Sequence, residues 1–172
     1  MSRLSNVRYL EIGTWNGSSS VSAIYKNNIQ ALFIDNWSQF GGDVNAFRHN
    51  MNVFNQDSKW SLIEGDCWSV DLSQIGTFNV YLYDGAHTEQ EHFRALEYYL
   101  PVMENLFVFI VDDWNWPQVR DGTMRAIREL GLNILFRHEI FVGSDELINM
   151  PESNTSRETW WNGCGIFLLQ KN

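Results

Sequence analysis

Short β-prone segments alternate with amphipathic segments along the chain, and this alternation restricts the fold more than any other feature of the sequence. The β-prone segments are residues 7–12, 31–35, 60–64, 78–84, 106–112, 133–140 and 165–170. Strands separated by helices pair in parallel, because each helix returns the chain to the same edge of the sheet. The pattern therefore predicts a doubly wound α/β fold, with a mostly parallel sheet and helices on both faces.

The segments between the strands carry residues that begin and end helices. Residues 18–26 follow a glycine turn and form the first predicted helix. Asp43 is the predicted N-cap of a second helix, whose apolar face contains Val44, Phe47, Met51 and Phe54. Thr88 begins a capping box that opens a third helix, and Pro117 and Gly131 mark the two ends of a fourth.

Chain length and charge limit the number of domains and the kinds of partner. With 172 residues, 44% of them apolar, we expect a single domain over residues 1–172. The net charge of -9, without a block of Lys or Arg, argues against a nucleic-acid partner. The longest apolar run, residues 106–111, is too short to cross a membrane, and residues 1–8 do not resemble a secretory leader. Two widely spaced cysteines predict reduced thiols and a cytoplasmic location.

A turn with two glycines follows the first predicted strand, in the segment Glu11-Ile12-Gly13-Thr14-Trp15-Asn16-Gly17-Ser18-Ser19. Glycines allow a tight turn and a close approach to a ligand, although a strand-to-helix turn can need them for structural reasons alone. Trp15 stands where the dinucleotide fingerprint has its second glycine, which argues against a nicotinamide cofactor. Asp35 ends the second strand, where an acid can accept hydrogen bonds from both hydroxyls of a ribose.

Acidic residues also follow the next three strands. Asp66 comes after the third strand, Asp84 ends the fourth, and Asp112 and Asp113 end the fifth. Because the fourth and fifth strands are predicted neighbours, three carboxylates would lie close together, which is costly without a compensating charge. A divalent cation with oxygen ligands is one compensation. Unpaired acids that merely cap loops are the alternative.

These motifs resemble those of the class I S-adenosylmethionine-dependent methyltransferases. Within that group the sequence is similar to the small metal-dependent O-methyltransferases, of the catechol type and, more closely, the macrolide-sugar type. The resemblance runs from residue 7 to about residue 170 and rests on the glycine turn, on Asp35, on Asp84-Gly85-x-His87 and on Asp112-Asp113. It implies a seven-stranded sheet whose last strand is antiparallel.

The resemblance also implies roles for individual residues. The implied contacts to S-adenosylmethionine are Glu11, Gly13, Gly17, Ser18, Asp35, Asp66, Cys67 and Asp84. The implied ligands of Mg²⁺, or of another divalent cation, are Asp84, Asp112 and Asp113. His87 corresponds to the general base, which takes the proton of the acceptor hydroxyl. The expected activity is metal-dependent methyl transfer to a hydroxyl of a small molecule, such as a sugar or a vicinal diol.

One part of the family pattern has no counterpart in this sequence. The family has helices before its first strand that form a lid, whereas here the first predicted strand begins near residue 7. The polar segment 143–162, predicted as a loop, and a second subunit of a homo-oligomer are the two alternatives for covering the acceptor. Four tryptophans are predicted either to line the acceptor pocket or to form an interface between copies: Trp114, Trp116, Trp160 and Trp161.

Several alternatives remain open at this point. Trp37 and Trp68 each follow an acid on the cofactor side and are predicted either to pack on the adenine or to be ordinary packing residues. Two alternative functions also remain open for the chain as a whole. One is a non-catalytic binding module that retains the methyltransferase fold, and the other, less favoured, is a nicotinamide-dependent oxidoreductase.

Overall fold

The computed structural model describes residues 6–143 and 161–172. The described residues form seven strands: β1 (Arg8–Ile12), β2 (Gln30–Asp35), β3 (Lys59–Glu64), β4 (Phe78–Tyr83), β5 (Met103–Asp112), β6 (Asn133–Ile140) and β7 (Cys164–Gln170). They also form four α-helices: α1 (Ser18–Ile24), α2 (Val44–Phe54), α3 (Glu89–Tyr99) and α4 (Pro117–Glu129). Short 3-10 turns lie at Cys67–Ser69, Leu72–Gln74 and Leu100–Val102.

The seven strands of the described residues make one sheet, in the order β3-β2-β1-β4-β5-β7-β6. Strands β1 to β5 pair in parallel, and β7 pairs antiparallel with both β5 and β6. The predicted doubly wound sheet with an antiparallel last strand is therefore confirmed. The strand order reverses beside β1, so the turns after β1 and β4 leave the same edge of the sheet side by side.

Alternate residues of the strands pack on opposite faces of the sheet, as the geometry of a β-strand requires. Leu10 and Ile12 belong to the core that contains residues of α3 and α4, whereas Tyr9 belongs to the core that contains residues of α1 and α2. Helices therefore cover both faces, as predicted. Within the described residues, no helix is long and apolar enough to span a membrane.

The predicted helix starts are observed at α2, α3 and α4. Asp43 Oδ1 accepts a hydrogen bond from the Asn45 N–H at 2.8 Å, and Thr88 Oγ1 accepts one from the Glu91 N–H at 3.2 Å. These bonds satisfy backbone donors that the first turn of a helix leaves without intrahelical partners. Pro117 is the first residue of α4, where its lack of an N–H costs nothing.

The structure differs from the sequence prediction at three elements. Helix α1 ends at Ile24 rather than at residue 26, because Tyr25 leaves the helical region with ψ at 121°. Strand β5 begins earlier than predicted, at Met103, and its Leu106 is 46% exposed. On the face under α1 and α2, Val108 and Ile110 of β5 are only partly buried, and the buried strand residues of that core come from β1, β2 and β4. Phe54, predicted on the buried face of α2, is exposed as well.

Glu11 is fully buried on the side of β1 that faces α1. Its carboxylate accepts hydrogen bonds from the hydroxyls of Tyr9 at 2.7 Å, Ser19 at 2.6 Å and Ser20 at 2.8 Å. Burial raises the pKa of Glu11 from its ordinary value of 4.5 to about 7, although the three hydroxyls lower it in part. The folded chain therefore holds a proton on Glu11 more tightly than the unfolded chain does.

His92 is buried between α3 and α4, and among the described residues neither of its ring nitrogens has a hydrogen-bond partner. The ring of Tyr83 packs edge-on against it, with the centroids 5.0 Å apart. Burial, with a smaller contribution from His87, lowers the pKa of His92 from 6.5 to about 3. The folded chain therefore keeps this imidazole neutral, whereas the unfolded chain protonates it in mild acid.

These two groups should give stability opposite dependences on pH. Between pH 4.5 and 7 the folded state binds more protons at Glu11, so the contribution of this group to stability falls as the pH rises. Glu11→Gln cannot ionise. Its free energy of unfolding, relative to wild type, should therefore rise with pH by up to about 1.4 kcal/mol per unit. Urea denaturation at a series of pH values measures this difference.

His92→Phe is the matched variant, and its stability relative to wild type should change with pH in the opposite direction. Between pH 3 and 6.5 the unfolded state binds more protons at His92, so wild-type stability gains from this group as the pH rises. The variant lacks that gain, so its free energy of unfolding relative to wild type should fall as the pH rises. Parallel stability curves for wild type and either variant would show that the corresponding group keeps its ordinary pKa.

Candidate functional site

A cavity of about 910 Å³ opens at the edge of the sheet where β1 and β4 end side by side. Its size suits a small-molecule ligand. Residues that end or follow β1, β2, β3, β4 and β5 line it, together with Trp161 and Asn162, which precede β7. The polar strand ends identified in the sequence thus contribute to one concave site.

Asp35 joins the turn after β1 to the loop after β2. Its Oδ2 accepts hydrogen bonds from the N–H groups of Thr14 at 2.7 Å and Trp15 at 2.8 Å, and its Oδ1 accepts one from the Trp37 N–H at 2.7 Å. These bonds fix two walls of the cavity relative to each other. Contact between Asp35 and a ribose stays a prediction.

Gly13 permits the closest contact between the turns that follow β1 and β4. Its φ is +82°, and a Cβ there would lie 1.8 Å from the carbonyl oxygen of Asp84. Another residue would both strain the turn and push the two strand ends apart. Gly17 also has a positive φ, +90°, but it caps α1 and packs against Phe47 without lining this cavity.

Glu11 also lies away from the cavity, although the family resemblance implied a contact with the cofactor. Successive side chains of β1 alternate, so Ile12 reaches the cavity whereas the Glu11 carboxylate lies among the hydroxyls of Tyr9, Ser19 and Ser20. Its position connects β1 to the first turn of α1. The other implied cofactor residues line the cavity: Gly13, Ser18, Asp35, Asp66, Cys67 and Asp84.

Asp66 and Cys67 form the part of the cavity at the end of β3. Asp66 Oδ1 accepts a hydrogen bond from the Trp68 N–H at 3.0 Å and caps a 3-10 turn. Burial raises the pKa of the Cys67 thiol to about 12, so the thiol stays neutral at physiological pH. Tyr99 donates a hydrogen bond to the Cys67 carbonyl at 2.6 Å, which holds this surface in place. The region therefore suits contact with a ligand rather than nucleophilic chemistry.

The structure brings Asp84, Asp112 and Asp113 together where β4 and β5 end. Burial raises the pKa of Asp84 well above its ordinary value, and repulsion from Asp112 and then Asp113 raises it further. Among the described residues that line the cavity, none is a lysine or an arginine. The negative charge of this group therefore has no cationic side chain beside it in the described part of the cavity.

His87 lies within the same acidic group. Its Nε2 is 2.9 Å from Asp113 Oδ2, and Asp113 Oδ1 accepts a hydrogen bond from the Asn162 amide at 2.8 Å. Potential ligand atoms of Asp84, His87 and Asp113 lie within 4.8 Å of one another. Asp112, an implied ligand, does not belong to that trio, but its charge raises the pKa of Asp84. Carboxylate oxygens with one imidazole fit a divalent cation, so the donor set is chemically suitable for the implied metal.

The tryptophans named from the sequence have different positions. Five of them line the cavity: Trp15, Trp37, Trp68, Trp116 and Trp161. Trp114 does not, because its ring is fully buried against Gly165 and its Nε1 donates a hydrogen bond to Glu139 at 2.7 Å. The prediction that Trp114 lines an acceptor pocket or an interface is therefore wrong. Trp160 lies outside the described residues, as does most of segment 143–162.

Phe40 and Asn162 belong to the site but were not identified from the sequence. The ring of Phe40 lies 5.8 Å from that of His87, and Asn162 is hydrogen-bonded to Asp113. Both contacts join residues far apart in the chain, so local pattern gives no indication of them. The only local feature was an aromatic residue followed directly by two glycines, in Phe40-Gly41-Gly42.

No protein-family model matches the sequence, and no curated protein matches it either. Solved structures match its fold. An O-methyltransferase from Bacillus cereus in complex with SAH has a TM-score of 0.58 and 15% identity, over 95% of this chain and 74% of that one. A methyltransferase from Pyrococcus furiosus has a TM-score of 0.58 and 18% identity, over 98% and 77%. A ribosomal protein L11 methylase from Lactobacillus delbrueckii subsp. bulgaricus has a TM-score of 0.58 and 14% identity, over 99% and 73%.

At these identities the likeness concerns the fold. The matching structures include an O-methyltransferase and a ribosomal-protein methylase, so they do not agree on one kind of substrate. In this chain, the fold is seen in the order of the strands, in the antiparallel β7 and in the cavity beside β1. The chain has the fold of the class I S-adenosylmethionine-dependent methyltransferases.

Proposed function

We propose that this protein transfers a methyl group from S-adenosylmethionine to a hydroxyl of a small molecule, such as a sugar or another vicinal diol, with the help of a divalent cation. One observation carries the proposal. The glycine turn and Asp35 share a single cavity with Asp84, His87 and Asp113. Direct transfer needs a donor and an acceptor held in one space at the right distance and angle.

The end of the cavity formed by the turns after β1, β2 and β3 fits the methyl donor. Gly13 lines this end of the cavity, and Asp66 and Cys67 offer a surface beside Trp68. S-adenosylmethionine supplies an electrophilic methyl group on a positively charged sulfur. The acidic lining of the cavity favours a cationic ligand by simple attraction.

The end of the cavity formed by the turns after β4 and β5 fits a divalent cation, with Mg²⁺ as the first choice. Asp84 and Asp113 offer hard oxygen donors, and Asp112 adds negative charge beside Asp84. Such a cation supplies charge that lowers the pKa of a hydroxyl and holds it in place. Asn162 fixes the orientation of Asp113 through its hydrogen bond, so this donor is already placed.

His87 is the imidazole among the described residues that line the cavity, and an imidazole can accept a proton from a hydroxyl. We assign the hydrogen on its Nε2 to the contact with Asp113, which leaves Nδ1 as the basic nitrogen. The rings of Phe40 and Trp116 lie next to the imidazole, at 5.8 Å and 4.8 Å between centroids. An imidazole oriented by a carboxylate in this way is typical of a general base.

Calorimetry should detect binding of S-adenosylhomocysteine and of Mg²⁺ to the wild-type protein. Asp113→Ala is expected to weaken Mg²⁺ binding at least about tenfold, because even the loss of an outer partner of a metal site has an effect of that size. The affinity for S-adenosylhomocysteine should stay close to that of wild type, since Asp113 lies at the opposite end of the cavity from Asp66 and Cys67.

Asp71→Ala is the matched control, since Asp71 is an exposed acid that caps a 3-10 turn and does not line the cavity. This variant should bind Mg²⁺ as wild type does. A protein that binds NADH and not S-adenosylhomocysteine would contradict the proposed cofactor. Equal Mg²⁺ affinities in wild type and Asp113→Ala would contradict the proposed metal site.

His87→Ala should slow the release of S-adenosylhomocysteine, measured with S-adenosylmethionine and a panel of hydroxylated acceptors, by about 10²–10⁴-fold. The reason is the loss of the proton acceptor, so binding of cofactor and Mg²⁺ should change little.

His138→Ala serves as the control, because His138 lies exposed on β6 and away from the cavity. Normal turnover in His87→Ala would exclude the role of general base. If Mg²⁺ affinity fell in parallel with turnover, His87 would be a metal ligand instead.

A further inference from the structure

We propose that Phe40 forms the wall of the site against which the methyl acceptor binds, and that this side chain favours uncharged, ring-shaped acceptors. The inference rests on the proposed function, because it places the acceptor on the side of the cavity that contains His87. Phe40 would then be a residue that determines specificity, distinct from those that hold the cofactor or the metal.

The first argument is the exposure of the side chain. Phe40 is 74% exposed, the largest fraction among the described exposed hydrophobic residues, and it lines the cavity. An aromatic ring in that position contributes little to a hydrophobic core. Its centroid lies 5.8 Å from that of His87, at an interplanar angle of 35°. The exposed apolar surface of Phe40 is therefore available at the place where the acceptor hydroxyl must lie.

The second argument is the path of the loop that carries Phe40. The loop leaves β2, whereas His87 follows β4, and β1 lies between these two strands. Neighbouring strands are about 4.8 Å apart, so the loop spans about 10 Å across the end of β1. It thus crosses above the glycine turn and brings Phe40 from the cofactor side of the cavity to the side of His87.

Two indole groups hold the loop in this position. Trp15 Nε1 donates a hydrogen bond to the Phe40 carbonyl at 3.2 Å, and Trp37 Nε1 donates one to the Trp15 carbonyl at 2.7 Å. The Asp43 N–H also donates to Asn16 Oδ1 at 3.0 Å. The glycine turn and the loop each donate hydrogen bonds to the other, so these bonds help to fix the position of Phe40.

The backbone of the same region is strained. Trp15, Trp37 and Phe40 have φ values of 45°, 50° and 59°, in the left-handed region that residues with a Cβ rarely adopt. Gly42 leaves space for the two indoles, since a Cβ there would lie 2.4 Å from Trp15 Cδ1. Strained backbone persists where surrounding bonds enforce it and is common at ligand sites. The loop thus holds an exposed ring over the cavity, as the proposal requires.

The charge of the cavity indicates which acceptors fit. The described lining contains six acids and no lysine or arginine: Asp35, Asp66, Asp84, Glu91, Asp112 and Asp113. A phosphate or carboxylate on the acceptor would be repelled and would find no cationic side chain among these described residues. The face of Phe40 offers contact to a flat or apolar ring surface instead.

The test uses the full chain saturated with S-adenosylhomocysteine and Mg²⁺, with saturation-transfer-difference NMR as the readout. The uncharged probes are catechol and methyl α-D-glucopyranoside, and their anionic counterparts are 3,4-dihydroxybenzoate and glucose 6-phosphate. At least one uncharged probe should bind wild type more tightly than its counterpart. Phe40→Ala should weaken that binding about tenfold, whereas Phe40→Trp should retain it.

Phe136→Ala is the matched control, because Phe136 is also exposed, at 54%, but lies on β6 away from the cavity. Calorimetry of S-adenosylhomocysteine on each variant separates the two proposals. No binding of S-adenosylhomocysteine to wild type would overturn the proposed function and this inference with it. If S-adenosylhomocysteine binds, the inference alone is overturned by any of three results. They are undiminished probe binding to Phe40→Ala, no uncharged probe bound by wild type, and anionic probes bound equally well.

Discussion

The contact between Gly13 and the carbonyl of Asp84 is the constraint on which the site depends. A Cβ at Gly13 would lie 1.8 Å from that carbonyl oxygen, so only glycine allows the turns after β1 and β4 to touch. This contact occurs where the strand order reverses, which is the place where doubly wound sheets bind ligands. It brings the turn at which we propose that the methyl donor binds and the acids at which we propose that a cation binds into the same cavity.

The second constraint is electrostatic. Burying Asp84 beside Asp112 and Asp113 is unfavourable, and the raised pKa of Asp84 expresses that cost. A divalent cation and a sulfonium both carry positive charge, and either one reduces the cost when it binds. In the proposal, the negative charge of these acids opposes folding at this edge of the sheet but favours binding of the cation and the sulfonium. The same charge disfavours anionic acceptors.

The fold and the strand-end acids could be predicted from the sequence because they depend on local pattern. Asp43 and Thr88 cap their helices through bonds to residues two and three positions ahead, and such bonds leave a recognisable signature. The position of Glu11 could not be predicted, because both faces of β1 are buried and only the placement of α1 brings the Ser19 and Ser20 hydroxyls to the Glu11 carboxylate. The contact between Asn162 and Asp113 spans 49 positions, and Phe40 meets His87 because the loop after β2 crosses the end of β1.

The most direct test of the central claim is a crystal structure of the protein with S-adenosylhomocysteine and Mn²⁺, with anomalous scattering used to locate the metal. We expect S-adenosylhomocysteine beside Gly13 and Asp66, with its sulfur directed towards His87. We also expect one manganese peak in contact with the carboxylates of Asp84 and Asp113. Ligand density away from the glycine turn, or a manganese peak elsewhere with none at these acids, would contradict the claim that one cavity serves both groups.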